Sequence, residues 1–263
     1  MDRDMRQFVD GIARRAEDHA RRPEFWARLA EAQRPSAVVI CCSDSRAAPE
    51  HITRADPGTL FVKRTVAGLV PTPPGPLERG WLRVYGSLTR WLGLRDLSGA
   101  AYGPWAAIEF PLVQLEVPNI IVLGHSGCGG VALAMQPRLA RPDLPDTDAW
   151  VDMVRPTVRR AIATMDRTSA EARLAAERAV VLWSRRNLLR HAGIERRVRQ
   201  GKANVYAGHY DIASGQVTFW NEATSRFEPA VTIVAAGAEG GPEPACCSNS
   251  PVRAGDKTCC SAL

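Results

Sequence analysis

The segment PSAVVICCSDSR, residues 35–46, joins an apolar run to a group of reactive side chains. Its first part, AVVIC (37–41), is rich in β-branched residues and too short for a helix, so it predicts a buried strand. Cys42, Asp44 and Arg46 follow directly. In open α/β sheets, ligand-binding side chains collect at the carboxyl ends of the strands. The segment therefore predicts a strand that ends in a functional loop.

A second apolar run, NIIVLG (119–124), has the same arrangement, because HSGCGG with His125 and Cys128 begins where the run ends. Further strands are predicted at 58–64, 203–212 and 216–221, the last two joined by a turn at 213–215. Helical periodicity is found at 4–33, 103–115, from about 130, at 149–165 and at 169–199. Strands that alternate with helices predict an α/β fold with a mostly parallel central sheet flanked by helices.

The composition is typical of a globular protein, since 45% of the 263 residues are hydrophobic and 24% are charged, and we expect a single domain over residues 1–235. The segment 236–263 is rich in Gly, Pro and Ser and contains two CC pairs, so we expect a disordered cysteine-containing tail. The formal charge of +6 is spread along the chain without a recognition motif, so no nucleic-acid partner is expected.

No run of 18 apolar residues is present, so no membrane span is expected. The absence of an apolar leader and the odd number of cysteines, seven, favour a reducing, cytoplasmic location.

Residues 71–102 form a candidate insert within this domain, beginning PTPPGPLERG. Five apolar residues can share one helix face there: Trp81, Val84, Leu88, Trp91 and Leu92. We expect an inserted hairpin that packs on its own domain or on a twin subunit. A helix that binds a membrane surface or another partner is the alternative.

Cys42, His125 and Cys128 are good zinc ligands, since thiolates and imidazoles are preferred by Zn²⁺. Three protein ligands leave a fourth position for water, which is typical of catalytic rather than structural zinc. Asp44 and Arg46 can form a bidentate ion pair beside the metal. Each feature alone is common, but together they predict a zinc site at two adjacent strand ends.

The pattern C-x-D-x-R followed by H-x-x-C resembles the β-class carbonic anhydrases. The likeness extends to ITRADPGTLFVKRTVAGLVP (52–71), AAIEF (106–110) and YDIASG (210–215), and covers roughly residues 5–225 apart from the insert. The resemblance implies one Zn²⁺ per subunit bound by Cys42, His125 and Cys128. It implies a catalytic dyad of Asp44 and Arg46, with Asp44 as a fourth ligand in a closed state.

Three substrate-binding residues are also implied by the resemblance. Gln33 stands nine residues before Cys42, where some relatives recognise bicarbonate with a glutamine. Phe61 matches an apolar residue of the CO2 pocket, and Phe110 stands where many relatives have tyrosine. The chain departs from the family at Thr65 and Gly68, where asparagine is common.

The function expected from the resemblance is reversible, zinc-dependent hydration of CO2 to bicarbonate and a proton. Its alternatives are hydrolysis of carbon disulfide or carbonyl sulfide, and a zinc-binding scaffold protein without turnover. Family members are usually homodimers or multiples of dimers with the pocket at the subunit boundary. His51 is a candidate proton shuttle near the first motif.

Overall fold

The computed structural model of the protein describes residues 3–92, 98–137 and 143–230. The strands in the described residues are β1 (Ala37–Cys42), β2 (Leu60–Thr65), β3 (Asn119–His125), β4 (Asn204–Tyr210), β5 (Val217–Asn221) and β6 (Arg226–Pro229). They form one six-stranded sheet in the order β2-β1-β3-β4-β5-β6. The first four are parallel, whereas β5 and β6 are antiparallel additions at one edge. The predicted fold class is confirmed, and β6 was not foreseen from the sequence.

Helices cover the sheet and connect its parallel strands. They are α1 (Arg3–Arg21), α2 (Pro23–Glu31), α3 (Pro49–Thr53), α4 (Pro76–Trp91), α5 (Ser98–Val113), α6 (Gly129–Met135), α7 (Pro145–Asp152), α8 (Arg155–Ala161), α9 (Ala170–Leu189) and α10 (Ala192–Arg199). None of these described helices is both long and apolar enough to cross a membrane.

Two predicted long helices are each divided in the structure. The helix expected at 149–165 is α7 followed by α8, and Pro156 occupies the first turn of α8, where its missing N–H costs nothing. The helix expected at 169–199 is α9 followed by α10, separated by His191 in an extended conformation. Continuous helical periodicity in the sequence therefore concealed both breaks.

The core forms on both faces of β1, whose six residues are all buried. Val38 and Ile40 pack with side chains of α5, α9 and α10, whereas Val39 and Cys41 belong to a separate cluster with Leu123. This alternation follows from the two-residue period of a strand. As a consequence, Cys41 is buried packing and does not share the face of Cys42, as the sequence predicted.

The insert is less buried than expected. Its helix α4 exposes Trp81 and Trp91, at 74% and 82% of their surface. We expected this apolar face to pack on its own domain or on a twin subunit; the own domain leaves it uncovered among the described residues, and packing on a twin subunit stays a prediction. The expected tail at 236–263 lies outside the described residues, and the single-domain boundary at 235 stays a prediction.

Candidate metal centre

The strand order places the two motif loops side by side. β1 lies between β2 and β3, and its residue Cys41 pairs with Leu123, two residues before His125. Cys42 ends β1, His125 ends β3, and Cys128 is the residue that precedes the first turn of α6. All three side chains are buried, and their ligand atoms lie within 4.8 Å of one another. The sequence prediction that both loops form one site is therefore confirmed in its geometry.

The imidazole of His125 is oriented toward this group by its neighbour. Its Nδ1 lies 3.0 Å from the carbonyl oxygen of Ser126. A carbonyl only accepts hydrogen bonds, so the proton resides on Nδ1 and Nε2 keeps its lone pair. Nε2 is buried and has no hydrogen-bond partner among the described residues. An unpaired acceptor beside two thiols is the arrangement that a metal ion would satisfy.

The two sulfur atoms complete the donor set. Sγ of Cys42 and Sγ of Cys128 are 3.9 Å apart and share a hydrogen bond. This hydrogen bond lowers the pKa of Cys42, which accepts it as a thiolate. It raises the pKa of Cys128, whose thiol donates it to that negatively charged neighbour. Like charges this close oppose one another, so both thiols ionise together only with a bound cation. The donor chemistry of the site therefore fits Zn²⁺ with one coordination position left open.

Asp44 is held beside this group by Arg46. The guanidinium donates from Nε to Oδ1 at 3.0 Å and from Nη2 to Oδ2 at 2.7 Å. The backbone N–H of Arg46 adds a third bond to Oδ1. These donors, the side chain of Arg46 foremost, hold the pKa of the carboxyl well below its usual range. Oδ2 lies 3.9 Å from Nε2 of His125, so an ionised carboxylate borders the open side of the donor set.

Two arginines join the loops into one unit. Nη2 of Arg46 also donates to the carbonyl of Gly127, between the two ligands of the second loop. Arg64, on β2, donates to the carbonyls of Cys42 and Asp44. The main chains that present the ligands are thus fixed by the side chains of Arg46 and Arg64 as well as by the sheet.

A close backbone approach supports the end of β1. Gly68 has φ 61, and a Cβ at this position would lie 3.1 Å from the carbonyl carbon of Cys41. A side chain there meets both unfavourable backbone geometry and a steric conflict. Glycine at this position therefore avoids a tight contact with the end of β1.

Comparisons with known proteins agree with the geometry. A family model described as "Carbonic anhydrase" matches residues 37–217. A carbonic anhydrase of Pseudomonas aeruginosa is 30% identical over 230 residues, which cover 85% of this chain and 90% of the relative. Beta carbonic anhydrase 3 of Arabidopsis thaliana is 28% identical over 206 residues, 77% of this chain and 71% of the relative.

Solved structures give the same result. The β-carbonic anhydrase CcaA superposes with a TM-score of 0.71 at 25% identity, over 86% of this chain and 99% of that one. A Coccomyxa β-carbonic anhydrase in complex with acetazolamide has a TM-score of 0.61 at 18% identity, which shows a shared fold. The Coccomyxa comparison covers 92% of this chain and all of that one.

The chain belongs to the β-carbonic anhydrase family. It is thus a carbonate dehydratase by family. The structure brings its C-x-D-x-R and H-x-x-C motifs together at the ends of β1 and β3.

Sequence reasoning missed the support beneath the second loop of this carbonic anhydrase. Oε1 of Glu177, on α9, accepts hydrogen bonds from the N–H groups of Gly127 and Cys128 at 2.7 and 3.4 Å. Its Oε2 lies 2.9 Å from Nε2 of His209, on β4. Both side chains are buried. The available signal was an acidic residue among the apolar residues Ala176, Val180 and Val181 of α9.

The three expected substrate residues do not meet the metal ligands within one protomer. Phe61 pairs in register with Val38, four residues along β1 from Cys42, or about 13 Å at about 3.3 Å per residue. Its ring is 6.3 Å from that of Phe110, which is 47% exposed on α5. Gln33 is exposed and precedes β1, so the whole strand separates it from Cys42.

Proposed function

We propose that this β-carbonic anhydrase catalyses the reversible hydration of CO2 to bicarbonate and a proton. The observation that carries the proposal is the buried Cys42–His125–Cys128 donor set with an ionised carboxylate beside it. One Zn²⁺ per subunit, held by these three residues, would supply the Lewis acidity that lowers the pKa of a water molecule to about 7.

Asp44 is proposed to orient the reacting water. Its carboxylate stays ionised because Arg46 and the backbone donate to it, so it can accept a hydrogen bond but cannot donate one. An acceptor fixed in this way directs the oxygen lone pair toward an incoming CO2 carbon. Oδ2 also lies close enough to Nε2 of His125, at 3.9 Å, to support the closed state in which Asp44 becomes a fourth ligand.

The substrate pocket is proposed to be completed by a second copy of the chain. Phe61 and Phe110 form an apolar pair, and Gln33 is available to donate its amide, yet all three lie away from the ligands of their own protomer. A homodimer, or a multiple of dimers, can bring them to the site of the other subunit. The large exposed apolar residues on α1, Phe8 and Ile12, support an oligomer because such side chains are usually covered.

A cytoplasmic location is proposed as well. The three cysteines of the described residues, Cys41, Cys42 and Cys128, are free thiols. Thiols persist in a reducing compartment, where they stay available for a metal.

His51 is exposed on α3 and stays a candidate proton shuttle.

The test is stopped-flow CO2 hydration by zinc-loaded protein between about pH 6.5 and 9. We expect turnover that rises with pH and is lost in Asp44→Asn, which keeps the shape of the side chain but can donate. Asp166→Asn is the matched control, since Asp166 is an exposed carboxylate that accepts hydrogen bonds from the backbone N–H and the hydroxyl of Thr168, away from the ligands.

Absence of turnover in folded, zinc-replete wild-type protein would contradict the proposal. Hydrolysis of carbon disulfide or carbonyl sulfide by the same sample would then identify the alternative substrate class. No turnover of any of these substrates would favour the scaffold role.

A further inference from the structure

The insert helix α4 presents an apolar seam that its own domain leaves open. The seam consists of Leu77, Trp81, Val84, Leu88 and Trp91, each more than half exposed, from 51% at Leu88 to 82% at Leu77 and Trp91. On the other side of the helix, Leu82 is half-buried and Gly86 and Thr89 are buried. The helix is therefore attached to the domain by small and weakly polar residues, and its largest apolar side chains point away.

The spacing within the seam identifies the kind of surface that covers it. Successive members are four, three, four and three residues apart, which is the a/d spacing of a coiled coil. An a/d stripe of this kind is the surface that a second helix covers in a coiled coil. Gly80 and Ser87 flank the stripe on one side, so a partner helix can approach closely there.

The exposed area is also of the size that a stable interface requires. Together with Tyr85 and Leu92, the seam exposes on the order of 900 Å², since a large apolar side chain offers roughly 150–250 Å² when fully exposed. The largest apolar patch on a typical monomer is about 300–600 Å². A standard protein–protein interface buries about 800 Å² on each partner. One copy of α4 thus offers a full half of such an interface.

We infer that the seam is covered by α4 of a second copy of this chain, packed antiparallel. A twofold pairing needs only one self-complementary surface, and antiparallel helices also have favourably opposed dipoles. Leu77 then lies level with the partner's Leu88, and Trp81 lies level with the partner's Val84. Each contact layer combines residues from an a and a d position, with the bulky Trp81 opposite a small valine.

An apolar groove at the start of α4 accommodates the remaining tryptophan. The groove has a volume of about 710 Å³ and lies between α4, α5 and α7; Pro74, Trp81, Trp105 and Trp150 contribute to its lining. In the antiparallel arrangement Trp91 lies level with the partner's Pro74, at this groove. The pairing therefore fills the groove of each copy with an aromatic side chain from the other.

The first test is the mass of the full-length protein by sedimentation velocity at about 1–100 μM. We expect Leu88→Glu to halve the mass of the assembly, because it places two carboxylates within the seam. Arg83→Glu is the matched control on an exposed position outside the seam, and it should leave the mass unchanged although it alters the charge more. An unchanged mass for Leu88→Glu, or an equal effect of Arg83→Glu, overturns the inference.

The second test does not depend on a disruptive variant. Leu77→Cys and Leu88→Cys proteins are oxidised separately and as a mixture, beside wild-type protein for the background from native cysteines. In the antiparallel pair each position is about 16 Å from its own copy and adjacent to the other, so only the mixture should form a new covalent dimer. Self-linking of either variant, or no link in the mixture, overturns the inference.

A membrane surface is the competing occupant, and it gives a different result. Vesicles of phosphatidylserine and phosphatidylcholine would then sediment with the wild type but not with Leu88→Glu, while both proteins have the same mass. That outcome also overturns the inference. Neither test measures CO2 turnover, so the result is independent of the proposed activity.

Discussion

The guanidinium of Arg46 binds both carboxylate oxygens of Asp44, at 3.0 and 2.7 Å, and also reaches the carbonyl of Gly127 in the second motif loop. One side chain thus fixes the proposed water-orienting group and connects the two halves of the site. Since the pair is partly exposed, its value lies in orientation more than in stability.

Arg46→Gln should lower kcat by about 10–100-fold, which is typical when a residue that orients a metal site is lost. The zinc content should stay at one per chain, because Arg46 is not among the three proposed ligands. The measurement is stopped-flow CO2 hydration together with metal analysis. Arg21→Gln, an exposed arginine on α1, is the control and should retain full activity. Normal kcat in Arg46→Gln would remove the orienting role.

The adjacent residues Cys41 and Cys42 provide a variant and its matched control for testing the metal site. Cys42→Ala should abolish stoichiometric zinc binding, because two protein ligands bind zinc far more weakly than three. Cys41→Ala should retain one zinc per chain, since Cys41 lies in a different apolar cluster and burial raises its thiol pKa to about 12. Metal analysis after dialysis decides between them. Zinc loss in Cys41→Ala, or retention in Cys42→Ala, would contradict the ligand assignment.

Glu177 should act on metal affinity although it is not itself a ligand. Glu177→Ala leaves the N–H groups of Gly127 and Cys128 in the ligand loop without their acceptor, so zinc affinity should fall about 10–100-fold in competition with a chelator. Glu177→Gln keeps an acceptor oxygen and should lose less.

Asn187→Ala serves as the control for Glu177, because it removes a buried hydrogen bond from the same helix to Val70, away from the ligands. It should lower the unfolding midpoint but leave zinc affinity unchanged. Equal affinity losses in the Glu177 and Asn187 variants would show that the effect is general destabilisation.

The sequence was sufficient for the features that depend on neighbouring residues. Short β-branched runs such as AVVIC and NIIVLG predicted strands, and parallel pairing then placed Cys42 and His125 at one edge of the sheet. The buried hydrogen bond between Glu177 and His209 joins residues that are 32 apart in sequence, one on a helix and one on a strand, so no local sequence pattern predicts it. The exposure of the α4 seam is likewise a property of the folded protomer, because the periodicity of the insert is the same for a covered and an open face.

The motifs did not predict where the expected substrate-binding residues lie relative to the metal ligands. Phe61 and Phe110 do contact each other, yet β1 and its register keep them apart from the metal ligands of their own chain. A linear motif gives identity and spacing but does not say which copy of a chain a residue serves. To make that distinction, one must know which residues lie at the beginning and which at the end of the strands in the folded sheet.

Lys63 provides a prediction that concerns stability alone. Its side chain is buried, its Nζ has no hydrogen-bond partner among the described residues, and desolvation lowers the pKa to about 8. The unfolded chain therefore binds more protons than the folded chain between about pH 8 and 10.4, and stability rises with pH across that window. Below pH 8 the folded protein retains the full cost of burying the ammonium group.

Lys63→Met should therefore raise the free energy of unfolding at pH 7 by on the order of 2–3 kcal/mol, and the gain should shrink as the pH approaches 10. Urea denaturation at pH 7 and pH 10 measures both values. Lys202→Met, at an exposed position, should change neither. A loss of stability at pH 7 in Lys63→Met would contradict this prediction and would mean that the ammonium group is paired in the assembled protein; that loss would then shrink as the pH rises.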